Sequence, residues 1–197
     1  MAGNPKLKIK AATAQELCAQ FQLSAAAKPH LEDGIAPLDF FDALVANEIY
    51  PDAVQFMARA LPKREAVWWA CLCAREAPPA ENAPPLAAAI DAAESWVRRP
   101  SEETRRRAQK AAEAIEASHP ARWAAMGAFW SGGSIAPPEL AEVKPADDMT
   151  AKAVAGAVSM SAALDAKSVQ PRYRRFLAYG RDIANGGTGR PAAAAAG

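Results

Sequence analysis

Leu61-Pro62-Lys63-Arg64-Glu65-Ala66-Val67-Trp68-Trp69-Ala70-Cys71-Leu72-Cys73 is the stretch on which the fold class turns. Proline stands where a first helical residue belongs, and its missing N–H costs nothing there because that amide would be unpaired anyway. A polar first turn follows, and then a dense apolar run with two adjacent tryptophans. Segments punctuated in this way recur from end to end. β-branched runs of period two are nearly absent, and alanine, the best helix former, is abundant. The pattern predicts an all-α protein, a compact multi-helix bundle of about eight to ten short helices arranged in two lobes or along a solenoid-like curve.

Composition narrows the function classes. The chain has 197 residues, 23 basic against 22 acidic, for a net charge of +1, so nothing global draws it to nucleic acid or an anionic membrane. No run of about 18 apolar residues offers a membrane span. Met1 to Lys10 carries positive charge with no apolar stretch behind it, which is not the pattern of a secretory signal. Arg174-Arg175-Phe176-Leu177 echoes a twin-arginine export motif, but it sits late in the chain inside a helical pattern. Cysteine usage fits a reducing compartment, the cytoplasm. Cys71 and Cys73 are two apart on a helix and point roughly 200° from each other, so they neither bridge nor share a tetrahedral metal. With only His30 and His119 besides, no cofactor or metal is expected.

Along the chain, residues 1–12 read as an arm, 13–77 as an N-terminal helical lobe, 78–85 as a proline-rich linker, 86–185 as a C-terminal helical lobe and 186–197 as a disordered tail. Thr13 and Glu16 suggest a capping box. Leu38, Phe41, Leu44 and Val45 form one helical stripe, and Val54, Met57, Ala58 and Leu61 another. Ser101 is placed to cap a helix whose Glu102–Arg106 and Glu103–Arg107 spacings suit ion pairs, with Arg105-Arg106-Arg107 as a solvated face. Residues 133–149 form a long loop of the kind that is often functional. Thr150 is expected to cap a helix whose Ala153, Gly156, Ala157 and Met160 admit a close neighbour. A final basic helix follows from about Pro171 to Ala184, presenting Tyr173, Phe176, Leu177 and Ile183 inward.

Several stretches together resemble a bacterial all-helical family of unknown function. They are Tyr50-Pro51-Asp52-Ala53, the Leu61 to Cys71 run, Trp96-Val97-Arg98-Arg99-Pro100, the Phe129 to Pro138 segment with its Gly132-Gly133, Thr150 to Val158, and Tyr173-Arg174-Arg175-Phe176-Leu177. The resemblance spans about residues 13–185 and implies a companion of bacterial secretion or toxin-delivery gene sets, such as type VI. It carries no catalytic residues.

No catalytic constellation is threaded through the chain. Gly132-Gly133 follows a helix, whereas phosphate cradles precede one, and no nucleophile elbow surrounds Ser131 or Ser134. Asp147-Asp148 with Glu139 and Glu142 lack the spacing of a calcium loop. Arg172, Arg174, Arg175 and Arg181 with Tyr173 and Tyr179 are the combination a nucleic-acid binder uses, yet acidic residues elsewhere can receive those arginines. Trp68 and Trp69 point about 100° apart, so their helix is either central or carries one indole on a partner surface. Lys63 and Arg64 sit poorly against the positive end of their helix, and pairing to another helix is the favoured resolution over a ligand contact. The expectation is therefore a non-enzymatic interaction module, an adaptor or accessory subunit that binds another bacterial protein through Arg64, Glu65, Trp68, Trp69, Trp96 and Trp130. An immunity-type protein that plugs a toxin is one alternative. An enzyme drawing on Glu65, His30 and His119 is the other.

Overall fold

A computed structural model describes residues 7–77 and 83–190. Nine α-helices follow one another among them: α1 (Ala14–Cys18), α2 (Pro37–Ala46), α3 (Tyr50–Ala60), α4 (Lys63–Arg75), α5 (Ala83–Arg98), α6 (Glu102–Glu113), α7 (Pro120–Phe129), α8 (Met149–Ala163) and α9 (Val169–Ala184), with a 3-10 turn at Lys28–His30. No strand occurs among the described residues. Proline occupies the first turn of α2, α3 and α7 and directly precedes α4, where its fixed φ is already helical or extended as needed.

The Leu61–Cys73 segment forms the centre of the bundle. α4 packs against α5, α7, α8 and α9 and touches α3. From Ala66 to Ala74 every residue of α4 except Trp68 is buried. One contiguous core runs from Ile9 to Ala184 across both halves of the chain, so the 78–85 boundary divides sequence and not hydrophobic cores. Residues 78–82 of that linker lie outside the described residues. Pro84 and Pro85 are not linker: they stand in the first turn of α5, where their missing amides break no helical hydrogen bond.

Trp69 seats α9 on α4. Its indole is fully buried, and Nε1 donates to the Phe176 carbonyl at 2.7 Å. The ring lies against the backbone of Gly180, where a Cβ would stand 3.1 Å from Trp69 Cε2 and from Met57 Cγ. α9 therefore approaches α3 and α4 so closely that a side chain at that place would press on Trp69 and Met57. Gly156 on α8, expected to admit a neighbouring helix, instead faces open space, while Ala153 and Ala157 are buried.

Arg105 plays the corresponding part at the other end. Read as one of three solvated cations, it is 3% exposed. Its Nη1 donates to Phe129 O at 2.7 Å and its Nη2 to Ser134 O at 2.8 Å, while Glu102 receives both Nε and Nη2 at 2.7 Å. Arg106 adds Ser134 O and Ala136 O. Only Arg107 of the three is fully exposed. The side chains turn inward because the chain leaving α7 presents carbonyls that no helix satisfies. Those two arginines thus pin the start of the 131–148 loop. Ser134 Oγ then closes the loop, accepting from Ala136 N and Val143 N, while Ile135 N donates to Val143 O. Arg105 and Arg106 together hold the Glu102 carboxyl down at about 2, the Arg105 hydrogen bond being the larger cause.

Local capping departs from expectation at Thr13 and Thr150 and follows it at Ser101. Thr13 makes no bond to the α1 backbone, its hydroxyl meeting Glu16 Oε1 at 3.5 Å instead. Ser101 does cap α6, in a reciprocal box completed by Thr104. Thr150 lies inside α8 with its hydroxyl buried and unpaired among the described residues, because the helix starts at Met149 after Asp148, which Lys152 holds at 2.6 Å. Glu103 and Arg107 form no ion pair among the described residues; Glu102 serves Arg105 and Arg106 instead.

Gly180→Ala is expected to destabilise the protein by about 1 kcal/mol net in urea titrations, because overpacking beside an immobile Trp69 outweighs the roughly 1 kcal/mol gained in helix propensity. Gly156→Ala, with open space around it, should stabilise by about 0.5–1 kcal/mol in the same assay. Arg105→Leu should cost about 1–3 kcal/mol for the buried carbonyl it abandons, and should raise amide exchange across 131–148. Arg105→Lys should not restore protection, since one ammonium cannot reproduce the guanidinium fork.

Candidate functional site

The first turns of α4 open onto a pocket of about 230 Å³. Arg64, Glu65 and Trp68 supply one side. Lys8 of the arm, Val97 at the end of α5 and Gly186-Gly187 just beyond α9 supply the others. The pocket exists because both ends of the described chain converge on α4. Lys8 N donates to Ala184 O at 2.8 Å, and Lys8 Nζ meets Glu65 Oε1 at 3.3 Å. Trp68 Nε1 donates to Thr188 O at 2.8 Å. Gly189, at φ 80°, returns the chain onto the bundle, its N–H donating to Asp182 Oδ2 at 2.8 Å.

Residues 186–190 are therefore not disordered tail: they are folded back and hold the edge of Trp68. Gly189 lies so near Leu72 and Ile183 that a Cβ there would stand 2.5 Å from Leu72 Cδ1. Residues 191–197 of the expected tail, and 1–6 of the expected arm, lie outside the described residues.

Arg64 is exposed, with Nε donating to the Val97 carbonyl at 2.6 Å. That single bond to backbone orients the guanidinium, and among the described residues no carboxylate lies within ion-pair distance of it. Lys63 is held by Ser131 O at 3.1 Å. The cations at the start of α4 are thus tied to neighbouring segments, and the terminal nitrogens of Arg64 remain available to an acceptor.

The other sequence-picked tryptophans lie elsewhere. Trp69 and Trp96 belong to the core, at 0% and 6% exposure, and offer no surface to a partner. Trp130 is half-buried at the end of α7, its ring 6.1 Å from that of Trp123. Adjacent residues on a helix must diverge, so burial of Trp69 in a central helix places Trp68 at the rim.

Of the candidate acid–base groups, His119 and Glu65 are committed to structural contacts. His119 caps α7, Nδ1 accepting from Ala121 N at 3.1 Å, and burial lowers its pKa. His30 ends the 3-10 turn. Glu65 faces Lys8. Cys18, Cys71 and Cys73 are buried free thiols, and burial pushes all three upward, Cys18 to about 11. Among the described residues no group of three His, Cys, Asp or Glu side chains is placed to hold a metal ion.

The basic last helix is neutralised from within. Arg172 is buried against Ser161 O and Glu76 O. Arg174 binds Glu48 and Tyr50, Arg175 binds Glu76, and Arg181 grips Asp42 through two nitrogens.

A family of unknown function (DUF6931) matches residues 40–184, well over half of the chain, and the protein belongs to that family. No curated protein and no solved structure matches it. No helix among the described residues is long and apolar enough to cross a membrane.

The cap on α7 makes stability depend on pH. The native His119 imidazole titrates below the ordinary value of 6.5, so the unfolded chain takes up the proton first. Its contribution is complete above about pH 6.5 and is lost as pH falls toward the native value. His119→Asn keeps a capping acceptor without a titrating ring, and should flatten the decline in melting temperature between about pH 7 and about pH 5.

Proposed function

We propose that the chain is a non-enzymatic interaction module, an adaptor or accessory subunit of a bacterial secretion or toxin-delivery system, acting in the cytoplasm and gripping a partner protein at the pocket of Arg64, Glu65 and Trp68. One observation carries the reading: an exposed arginine is oriented by a backbone carbonyl, meets no carboxylate among the described residues, and stands beside a tryptophan at the rim of the bundle. The indole N–H is engaged by Thr188, leaving apolar ring surface to be covered. Arg64 keeps its two terminal nitrogens for a bidentate acceptor. Together they suit a segment that presents an apolar side chain next to a carboxylate, and both residue types are frequent binding hot spots.

Pre-orientation supports the reading. The Val97 carbonyl, the Lys8–Glu65 pair and the folded-back 186–190 segment hold the pocket before any partner arrives, which lowers the ordering cost of association. The structural commitments of Glu65 and His119, and the burial of the three thiols, support a binding role over acid–base or nucleophilic chemistry. The secretion or toxin-delivery setting rests on the family resemblance that the six stretches between Tyr50 and Leu177 carry together.

The test is to titrate this protein, by calorimetry, with the purified products of the genes beside its own. A saturable complex is expected with one of them. Arg64→Ala and Trp68→Ala should each weaken it by at least about tenfold, the loss of about 1.4 kcal/mol or more typical of hot spots, while thermal melts stay within a few degrees of wild type. Unchanged affinity in both folded variants overturns the assignment of this pocket. A complex that restores growth in the presence of a toxin, with secretion unaffected, overturns the adaptor role in favour of an immunity protein.

A further inference from the structure

Arginine is used in this protein largely for internal bonding, and three arginines outside that pattern, apart from Arg64 and Arg190, share one cleft. Arg75, Arg105, Arg106, Arg174, Arg175 and Arg181 all meet carboxylates. Arg59, Arg122 and Arg172 are bound to main-chain carbonyls. Arg99 and Arg107 are different: both are exposed, and among the described residues neither guanidinium has a hydrogen-bond partner. Arg98 is nearly so, reaching Glu94 only at 3.4 Å, where that carboxylate is already held by Arg75 at 2.6 Å. These three line one cleft of about 450 Å³ between the end of α5 and the start of α6, with Ser101, Thr104 and a single carboxylate, Glu103.

The cleft is rigid. Pro100 restricts the turn, Ser101 and Thr104 lock each other in the reciprocal cap, and Thr104 Oγ1 donates to the Arg99 carbonyl at 3.0 Å. The backbone bearing Arg98 and Arg99 is thereby fixed relative to Arg107 one and a half turns into α6. Three cations lining one cleft against Glu103 and a long contact to Glu94 leave a local excess of positive charge, and a bound anion relieves it. Guanidinium groups match the geometry of phosphate oxygens and bind them in pairs. The volume falls in the range of small-molecule sites and exceeds what a lone phosphate fills.

We propose that this α5–α6 cleft is a binding site for a phosphorylated ligand, a diphosphate or phosphate monoester held by Arg98, Arg99 and Arg107. It shares no lining residue with the Arg64–Trp68 pocket and stands or falls independently of it.

The experiment titrates the full chain, at low ionic strength, with inorganic phosphate, pyrophosphate and a phosphoserine peptide, following backbone amide resonances. Saturable shifts centred on residues 98–107 are expected, with pyrophosphate or the phosphopeptide binding more tightly than inorganic phosphate; the tighter of the two identifies the source of the group. Arg99→Gln with Arg107→Gln should weaken binding by about tenfold or more, since two charge-assisted contacts are removed. Glu103→Gln should tighten it, and Arg64→Ala should leave it unchanged. Because both arginines are exposed and unpaired, the double variant should melt with wild type. Linear, non-saturating shifts, or equal affinity in the folded double variant, overturn the proposal.

Discussion

The bundle depends on one hydrogen-bonded wedge, the Trp69 indole between α4 and α9. A buried indole must satisfy its N–H or forfeit the desolvation free energy of that group, and the Phe176 carbonyl meets that demand. Forming the bond fixes the height of α9 along α4, and Gly180 fixes how closely the two axes approach. From that contact the rest follows in order. α9 in place brings its arginines to Glu48, Glu76 and Asp42, and it carries residues 186–190 back over Trp68. The pocket at the start of α4 is thus a consequence of core packing one residue away.

Arg105 solves a different problem with the same economy of parts. A helix that ends inside a protein leaves carbonyls facing inward, and a long loop without secondary structure leaves more. One planar guanidinium with several donors answers both Phe129 and Ser134 while Glu102 neutralises it from the solvent side. The result is a loop that runs over the surface in a defined path and still exposes Leu140 and Val143 at 62% and 50%. Rigid backbone and exposed apolar side chains coexist there because the ordering comes from polar anchors at the loop's root.

Much of this was legible in the chain and some was not, for identifiable reasons. Helix positions followed from proline, glycine and apolar spacing, since those signals are local. The pairing of the α9 arginines within the protein was foreseeable because the acidic residues to receive them exist. Arg105-Arg106-Arg107 misled, because a charge run on a helix reads as solvated unless one knows that a neighbouring loop needs donors. The same blindness hid the pocket: Arg64, Glu65 and Trp68 were recognisable as unusual, but Lys8, Val97 and Gly186 reach them only through tertiary folding. Burial of Trp69 and Trp96 removes them from any surface, a distinction that helical periodicity alone does not make for adjacent aromatic residues.

The family match covers residues 40–184, and this division coincides with a physical one in the pocket. Arg64, Glu65, Trp68, Val97 and Ile183 lie inside it, on helices whose opposite faces are core. Lys8, Gly186 and Gly187 lie outside it, on segments that touch the bundle at a few points. On the helical side, burial of Val67 and Trp69 fixes the backbone that carries Arg64, Glu65 and Trp68. On the terminal side, the walls are held by the Lys8–Glu65 ion pair and by hydrogen bonds to Ala184, Thr188 and Asp182, apart from the Trp69 wedge. The pocket therefore has its cationic and aromatic floor on core helices and its rim on the two terminal segments.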